Sequence, residues 1–233
     1  MRSYSNTYIF IFSSIMVVTV AAVLSIAAMT LQPLQKKNVE INKKQNILTS
    51  INIESTAANA ESLYDKYIIE SYAVNSKGKV KEGVNAFEVD MKKELAKPLE
   101  EQSLPVFISS LEGSKKYIIP VYGKGLWGPI WGYVALNDDL STIYGAVFSH
   151  KAETPGLGAE INTKEFQEQF FGKEIFKLGE FVSVSVLKSG SADPESKYQV
   201  DGISGGTITS VGVDQMLRDC LSSYEPYFKK HKK

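Results

Sequence analysis

Residues 8–31 carry no charge and are nearly all apolar or small. As a helix they would extend roughly 36 Å at about 1.5 Å per residue, against a membrane hydrocarbon core of about 30 Å. The stretch reads as a single N-terminal transmembrane helix, so its apolar residues are withheld from any soluble core. The competing reading is a cleaved signal peptide, whose apolar region usually runs to only about 7–15 residues. One positive residue, Arg2, precedes the stretch, and Ser25 and Ala27 are small enough to leave cleavage open. Four lysines follow it: Lys36, Lys37, Lys43 and Lys44. Taken literally, the positive-inside rule holds the main domain in the cytoplasm, but the rule is weak for one helix followed by a long domain. Orientation is open at this point.

The remaining chain is long enough for one substantial domain, and 43% hydrophobic with 11% aromatic residues is an ordinary globular composition. Net charge is zero and no basic patch is interleaved with aromatics, which removes support for nucleic-acid binding. The tail at residues 229–233, Lys-Lys-His-Lys-Lys, reads as a solvated, disordered end. A single cysteine excludes an internal disulfide and a multi-cysteine metal or iron–sulfur site.

Residues 32–46 read as a polar juxtamembrane linker, with Pro33 marking the end of the span. The soluble domain is expected over residues 47–228. Residues 47–72 suggest one or two short helices and 91–99 another. Strand signals, rich in β-branched and aromatic residues, appear at 104–109, 116–122, 128–136 and 142–149, joined by turn-like segments at 112–114 and 137–139. Residues 163–171 read as a helix capped by Thr163, with Phe166, Phe170 and Phe171 on one side, and 181–187 as a further strand. From Val213, apolar residues recur at Met216, Leu217, Cys220, Leu221 and Tyr224, the spacing of a helix with one face on a core. The chain is therefore expected to be α+β: the membrane helix, then an antiparallel sheet with packed helices.

Three glycine-rich stretches lie where strands end: Gly123-Lys124-Gly125-Leu126-Trp127-Gly128, Glu153-Thr154-Pro155-Gly156-Leu157-Gly158, and Asp201-Gly202-Ile203-Ser204-Gly205-Gly206-Thr207-Ile208-Thr209-Ser210. The last enters the final helix. Glycine lets backbone N–H groups approach an anion, and a helix N-terminus favours negative charge, so a phosphate is one occupant such a turn admits. Gly202-Ile203-Ser204-Gly205-Gly206 also matches the G-x-S-x-G nucleophile elbow. A hydrolase needs an acid and a histidine downstream, and only His231, in the tail, follows the serine. His150 and Glu153 have helical spacing, but Pro155 and the glycines argue against a helix and no third ligand is evident, so no metal site is expected.

With these loops placed, the chain resembles the C subunits of sodium-translocating NADH:quinone reductases, members of the FMN-binding domain family with covalent flavin. Ser204-Gly205-Gly206-Thr207 resembles the family's Ser/Thr-Gly-Ala-Thr attachment motif, and Asp201-Gly202 its preceding Asp-Gly. Glu153 to Gly158 matches the family's E-T-P-G-L-G residue for residue, and Gly125-Leu126-Trp127 resembles a third element. The resemblance spans the anchor and the region from Gly123 to the last helix, with a flavin core expected at about residues 104–228. Gly206 departs from the usual alanine.

The resemblance implies one FMN per chain, joined by a phosphoester to Thr207 Oγ and installed by a flavin transferase that uses FAD, with Thr209 as a fallback acceptor. Trp127 and Leu157 would be apolar contacts to the flavin ring, Glu153 and Thr154 polar contacts near its edge, and Gly156 and Gly158 points of close backbone approach. It also implies an electron carrier, active as one component of the reductase and not an NADH oxidase by itself. Electrons would come from an iron centre of the D and E membrane subunits and pass to the FMN of the B subunit, in a complex completed by the A and F subunits. The soluble domain is then periplasmic, on a bacterial inner membrane, contrary to the literal charge reading. Two other readings remain: the G subunit of an Rnf-type ferredoxin:NAD oxidoreductase, and a membrane-anchored binding module without flavin.

Overall fold

The computed structural model describes residues 5–111 and 113–232. Arg2, Glu112 and Lys233 lie outside the described residues. The chain divides into two units, one up to Lys43 and one from Lys44.

The first unit is most of a long helix, α1 (Asn6–Ser50). Its apolar side chains, among them Phe10, Val18, Leu24 and Met29, are exposed all round, and it is the one helix among the described residues long and apolar enough to cross a membrane. A helix apolar on every face has no soluble core to lie on and suits lipid. The helix does not stop at Pro33, and residues 32–46 are helical where the sequence suggested a linker.

In the second unit, Ile47, Leu48 and Ile51, at the end of α1 and just after it, are fully buried. A short helix α2 (Ala60–Tyr67) leads directly into β1 (Ile68–Val74), a strand absent from the sequence expectation, and then β2 (Val80–Lys81). After α3 (Met91–Leu95) come four long strands: β3 (Leu104–Leu111), β4 (Ser114–Lys124), β5 (Pro129–Leu136) and β6 (Ile143–His150). Together they form a six-stranded sheet of order β2-β1-β3-β4-β5-β6, antiparallel throughout.

Side chains alternate between two buried faces. Phe107, Ile118, Ala135 and Val147 point to the face covered by Ile47, Leu48 and Ile51. Val106, Ile119, Val121, Val134 and Phe148 point to the larger core, which includes the C-terminal helices. Burial on both faces explains why these strands read as near-continuous apolar runs. Gly145 lets the end of α1 come close, since a Cβ there would stand 2.4 Å from Ser50 O.

After β6 the chain is mostly irregular. The expected helix at 163–171 is a 3-10 turn (Gly158–Asn162) followed by the short α4 (Lys164–Glu168). Thr163 gives no side-chain cap; its hydroxyl donates to Glu160 O instead. Phe166 and Phe170 are buried, but Phe171 is exposed, because α4 ends before that position joins the apolar face. The expected strand at 181–187 splits. A tight hairpin, β7 (Phe176–Lys177) with β8 (Glu180–Phe181), is separated from β9 (Ser185–Leu187) at Ser183, whose φ of 61° no extended strand accommodates.

Strand β9 pairs in parallel with β10 (Gln199–Asp201), which delivers the chain to helix α5 (Thr207–Ser223) and its continuation α6 (Glu225–His231). Lys229, Lys230 and His231, expected to be disordered, complete α6, where Lys229 pairs with Glu225 at 2.7 Å. The fold is α+β.

Candidate functional site

Helix α5 lies on β4 by a close backbone approach. A Cβ on Gly212 would stand 2.4 Å from Lys124 O, and one on Gly123 2.7 Å from Met216 Cβ. Glycine on both elements lets them touch, and Val213, Met216, Leu217, Cys220 and Leu221 then reach the core. The contact sets the N-terminus of α5 beside the β4–β5 loop that carries Trp127. Cys220 is fully buried, and burial pushes its thiol up to about 12, which keeps it protonated and unreactive.

The turn into α5 is held by its own side chains. Ser210 Oγ accepts from Ile203 N at 2.9 Å and donates to Gly206 O at 3.0 Å, closing the loop around Gly205 and Gly206. Gly205 has φ of 72°, in the left-handed region that glycine occupies without steric cost. Gly202 N–H donates to Leu187 O at 2.7 Å, anchoring the start of the turn to β9. Thr207 is thus the first residue of a helix, with an exposed side chain.

A cavity of about 400 Å³ opens beside Thr207, lined by Leu126, Trp127, Glu153, Thr154, Leu157, Gly158, Gly205, Gly206, Thr207, Ile208 and Thr209. All three glycine-rich stretches meet here. Of the sequence-predicted site residues, Trp127, Glu153, Thr154, Leu157, Gly158, Gly205, Gly206 and Thr207 line it. Asp201, Ser204 and Gly156 do not. Asp201 Oδ1 accepts from Ser191 N and Ala192 N, so its carboxylate holds the preceding loop. Ser204 is exposed on the turn, and Gly156 has φ of 74° with no protein atom near where its Cβ would stand.

Glu153, expected as a polar contact at a ring edge, is 4% exposed. Its Oε1 accepts from Trp127 N at 2.8 Å and its Oε2 from Thr209 Oγ1 at 2.5 Å. Thr209, the fallback acceptor, is 1% exposed and its hydroxyl is engaged, so it offers no reactive oxygen at the surface. His150 Nδ1 accepts from Glu153 N at 3.1 Å, a loop-closing role for the one histidine near the site. Among the described residues no three His, Cys, Asp or Glu side chains converge as a metal site.

Sequence reasoning missed Ser210, Leu126 and Ile208. The spacing of Ser210 after Gly206 on a helix start was the available signal for its bond to Gly206 O. The exposure of Leu126, Trp127, Leu157 and Ile208, between 42% and 65%, left no signature in the sequence.

Residues 125–222 match the family model described as FMN-binding domain. The C subunit of the Na(+)-translocating NADH-quinone reductase of Haemophilus ducreyi is 30% identical over 224 residues, covering 88% of this chain and 86% of that protein. The chain belongs to the C-subunit family of these reductases. A crystal structure of the C subunit from Parabacteroides distasonis is 47% identical, with a TM-score of 0.79 over 85% of this chain and 96% of that one. The Shewanella oneidensis NqrC structure, 24% identical with a TM-score of 0.72 over 84% of this chain and 99% of that one, shares the fold. Membership of the C-subunit family agrees with the quinone-reductase reading over the Rnf one. The match to the FMN-binding domain model begins at Gly125 and so takes in every residue that lines the cavity.

Proposed function

We propose that this chain is the membrane-anchored flavin subunit of a sodium-translocating NADH:quinone reductase, carrying one FMN on Thr207. The observation that carries the assignment is the contrast between the two threonines at the turn. Thr207 is exposed and lines the cavity, while Thr209 is buried and bonded to Glu153. The residues present fit the group. Backbone N–H groups of the first turn of α5 suit a phosphate, and Leu126, Trp127, Leu157 and Ile208 supply apolar surface for a flat ring, with Thr154 as a polar neighbour.

Attachment would form one bond and break one. Thr207 Oγ bonds to the FMN-side phosphorus of FAD, the pyrophosphate P–O bond breaks, AMP leaves, and a flavin transferase accepts the hydroxyl proton. Once attached, FMN supplies the electron-transfer chemistry. The protein fixes the phosphate end, offers the ring an apolar surface and, through α1, keeps the carrier at the membrane. A covalent bond maintains a high local concentration of flavin without further binding energy.

In this reading residues 8–31 span the bacterial inner membrane, residues 47–228 form a periplasmic flavin domain, and the chain assembles with the A, B, D, E and F subunits. It takes electrons from an iron centre held by the D and E subunits and passes them to the FMN of the B subunit. The test is expression of the full chain with and without a flavin transferase, followed by in-gel fluorescence after denaturation. A fluorescent band that needs the transferase and disappears in Thr207→Leu is expected. A band that survives Thr207→Leu overturns the attachment site.

A further inference from the structure

Glu153 lines the cavity, and its carboxylate is engaged by the two elements beside it. Its side chain is buried, yet it pairs with no cation: none of the ion pairs among the described residues includes it. Both oxygens accept hydrogen bonds, one from the backbone of the β4–β5 loop at Trp127 and one from the hydroxyl of Thr209, two residues beyond Thr207 on α5. Backbone groups are cleared for it on both sides. A Cβ on Gly125 would stand 2.6 Å from Oε1, and one on Gly158 2.6 Å from Oε2 and 2.3 Å from Thr209 Oγ1. Two glycines from different loops, each removing an atom that would collide with the same carboxylate, mark a built position.

We propose that Glu153 is the positioning residue of the flavin site: it clamps the Trp127 loop to the helix that bears Thr207 and places a fixed negative charge in the cavity wall. This rests on Thr207 as the site of attachment. The clamp acts because Trp127, 65% exposed, has little packing to hold it beside the cavity, and its loop spans only residues 125–128 between two strands. The bond from Trp127 N–H to a carboxylate is of the stronger, charge-assisted kind. The charge acts because Glu153 is itself buried and no cation among the described residues pairs with it, so adding electrons to a flavin beside it becomes less favourable and its reduction potential falls.

Four variants of the full chain separate these effects: Glu153→Gln, Glu153→Ala, Thr209→Ser and Thr209→Val. Limited trypsin digestion at Lys124, just ahead of the loop, is read on flavin-free chain. Glu153→Ala and Thr209→Val should speed this cut by about tenfold or more, the effect of losing hydrogen bonds to a charged group on local opening. Thr209→Ser restores the donor. Glu153→Gln still accepts from Trp127 N and can donate to Thr209 Oγ1, so both should cut at near the wild-type rate. On flavin-loaded chain, with spectra normalised to attached flavin, Glu153→Gln should shift the midpoint potential upward. An unchanged cut in Glu153→Ala, or an unchanged potential in Glu153→Gln at equal loading, overturns the proposal. Failure of the attachment reading is distinct: it appears as a band that survives Thr207→Leu, and it leaves the digestion result standing.

Discussion

Neighbouring glycines at the turn into α5 have different tasks. Gly205 sits at φ of 72°, and a Cβ there would also stand 2.6 Å from Leu157 Cδ2. Alanine at 205 therefore meets both backbone strain and a collision, a cost of about 1–2 kcal/mol. Gly206 has φ of −104°, which alanine accepts. A Cβ at 206 would meet Ile203 Cβ and Cγ2 at 3.0 Å and Gly158 N at 3.2 Å, a tight fit that a small shift of the half-buried Ile203 relieves. Gly205→Ala should lower the melting temperature of the full chain by about 2–8 °C, using 2–4 °C per kcal/mol for a domain of this size, and Gly206→Ala by less than half as much. Calorimetry of both variants decides it; equal effects would show that left-handed geometry is not what position 205 requires. Of the residues singled out in the sequence, those whose glycine or hydroxyl character matters to the backbone were legible by type. Their partners were not, because the bond from Glu153 to Thr209 joins residues 56 apart and depends on how three loops meet.

Helix α5 was legible from Val213 onward by its apolar spacing and α4 in place but not in length, whereas β1, the first turn of α5 and the break at Ser183 were not. The difference is physical. Seven buried residues repeat along α5, while α4 spans five residues and most of the pairing of β1 is with β3, far along the sequence. The closeness of α5 to β4 leaves no periodic trace either; it depends on Gly123 and Gly212. By helix propensity alone, Gly212→Ala should stabilise α5 by about 1 kcal/mol. The Cβ would stand 2.4 Å from a backbone oxygen, Lys124 O, which cannot swing aside like a side-chain tip. Forcing the two elements apart costs about 1–3 kcal/mol, so the variant should be destabilised on balance and should lose attached flavin as Thr207 moves away from the Trp127 loop. Urea titration and the in-gel band test both parts. A Gly212→Ala chain as stable as wild type, with an undiminished band, would remove close packing of α5 on β4 as the device that places Thr207.

The whole molecule shows where anchor and domain part in sequence. Composition and hydropathy made the anchor plain, but they placed a linker at residues 32–46 where the helix is continuous, because a polar helix looks like a linker when no apolar stripe marks it. The division at Lys43 and Lys44 comes before about the last two turns of α1, and those turns belong to the domain. Ile47, Leu48 and Ile51 cover Phe107, Ile118, Tyr133 and Val147 on one face of the sheet. Burying each of the three contributes about 1.5–3 kcal/mol, together roughly 5–9 kcal/mol, the same order as the total stability of about 5–15 kcal/mol typical of a domain. Two truncations should therefore behave very differently. A chain starting at Lys44 should be soluble, fold cooperatively and accept flavin from the transferase. One starting at Ile53, only nine residues shorter, should expose that face of the sheet and aggregate or melt at much lower temperature, although it retains every residue lining the flavin cavity. Thermal unfolding followed by circular dichroism, with the in-gel band as a second measure, distinguishes them. Equal stability of the two would mean that the end of α1 serves only to tether the domain and adds nothing to its core.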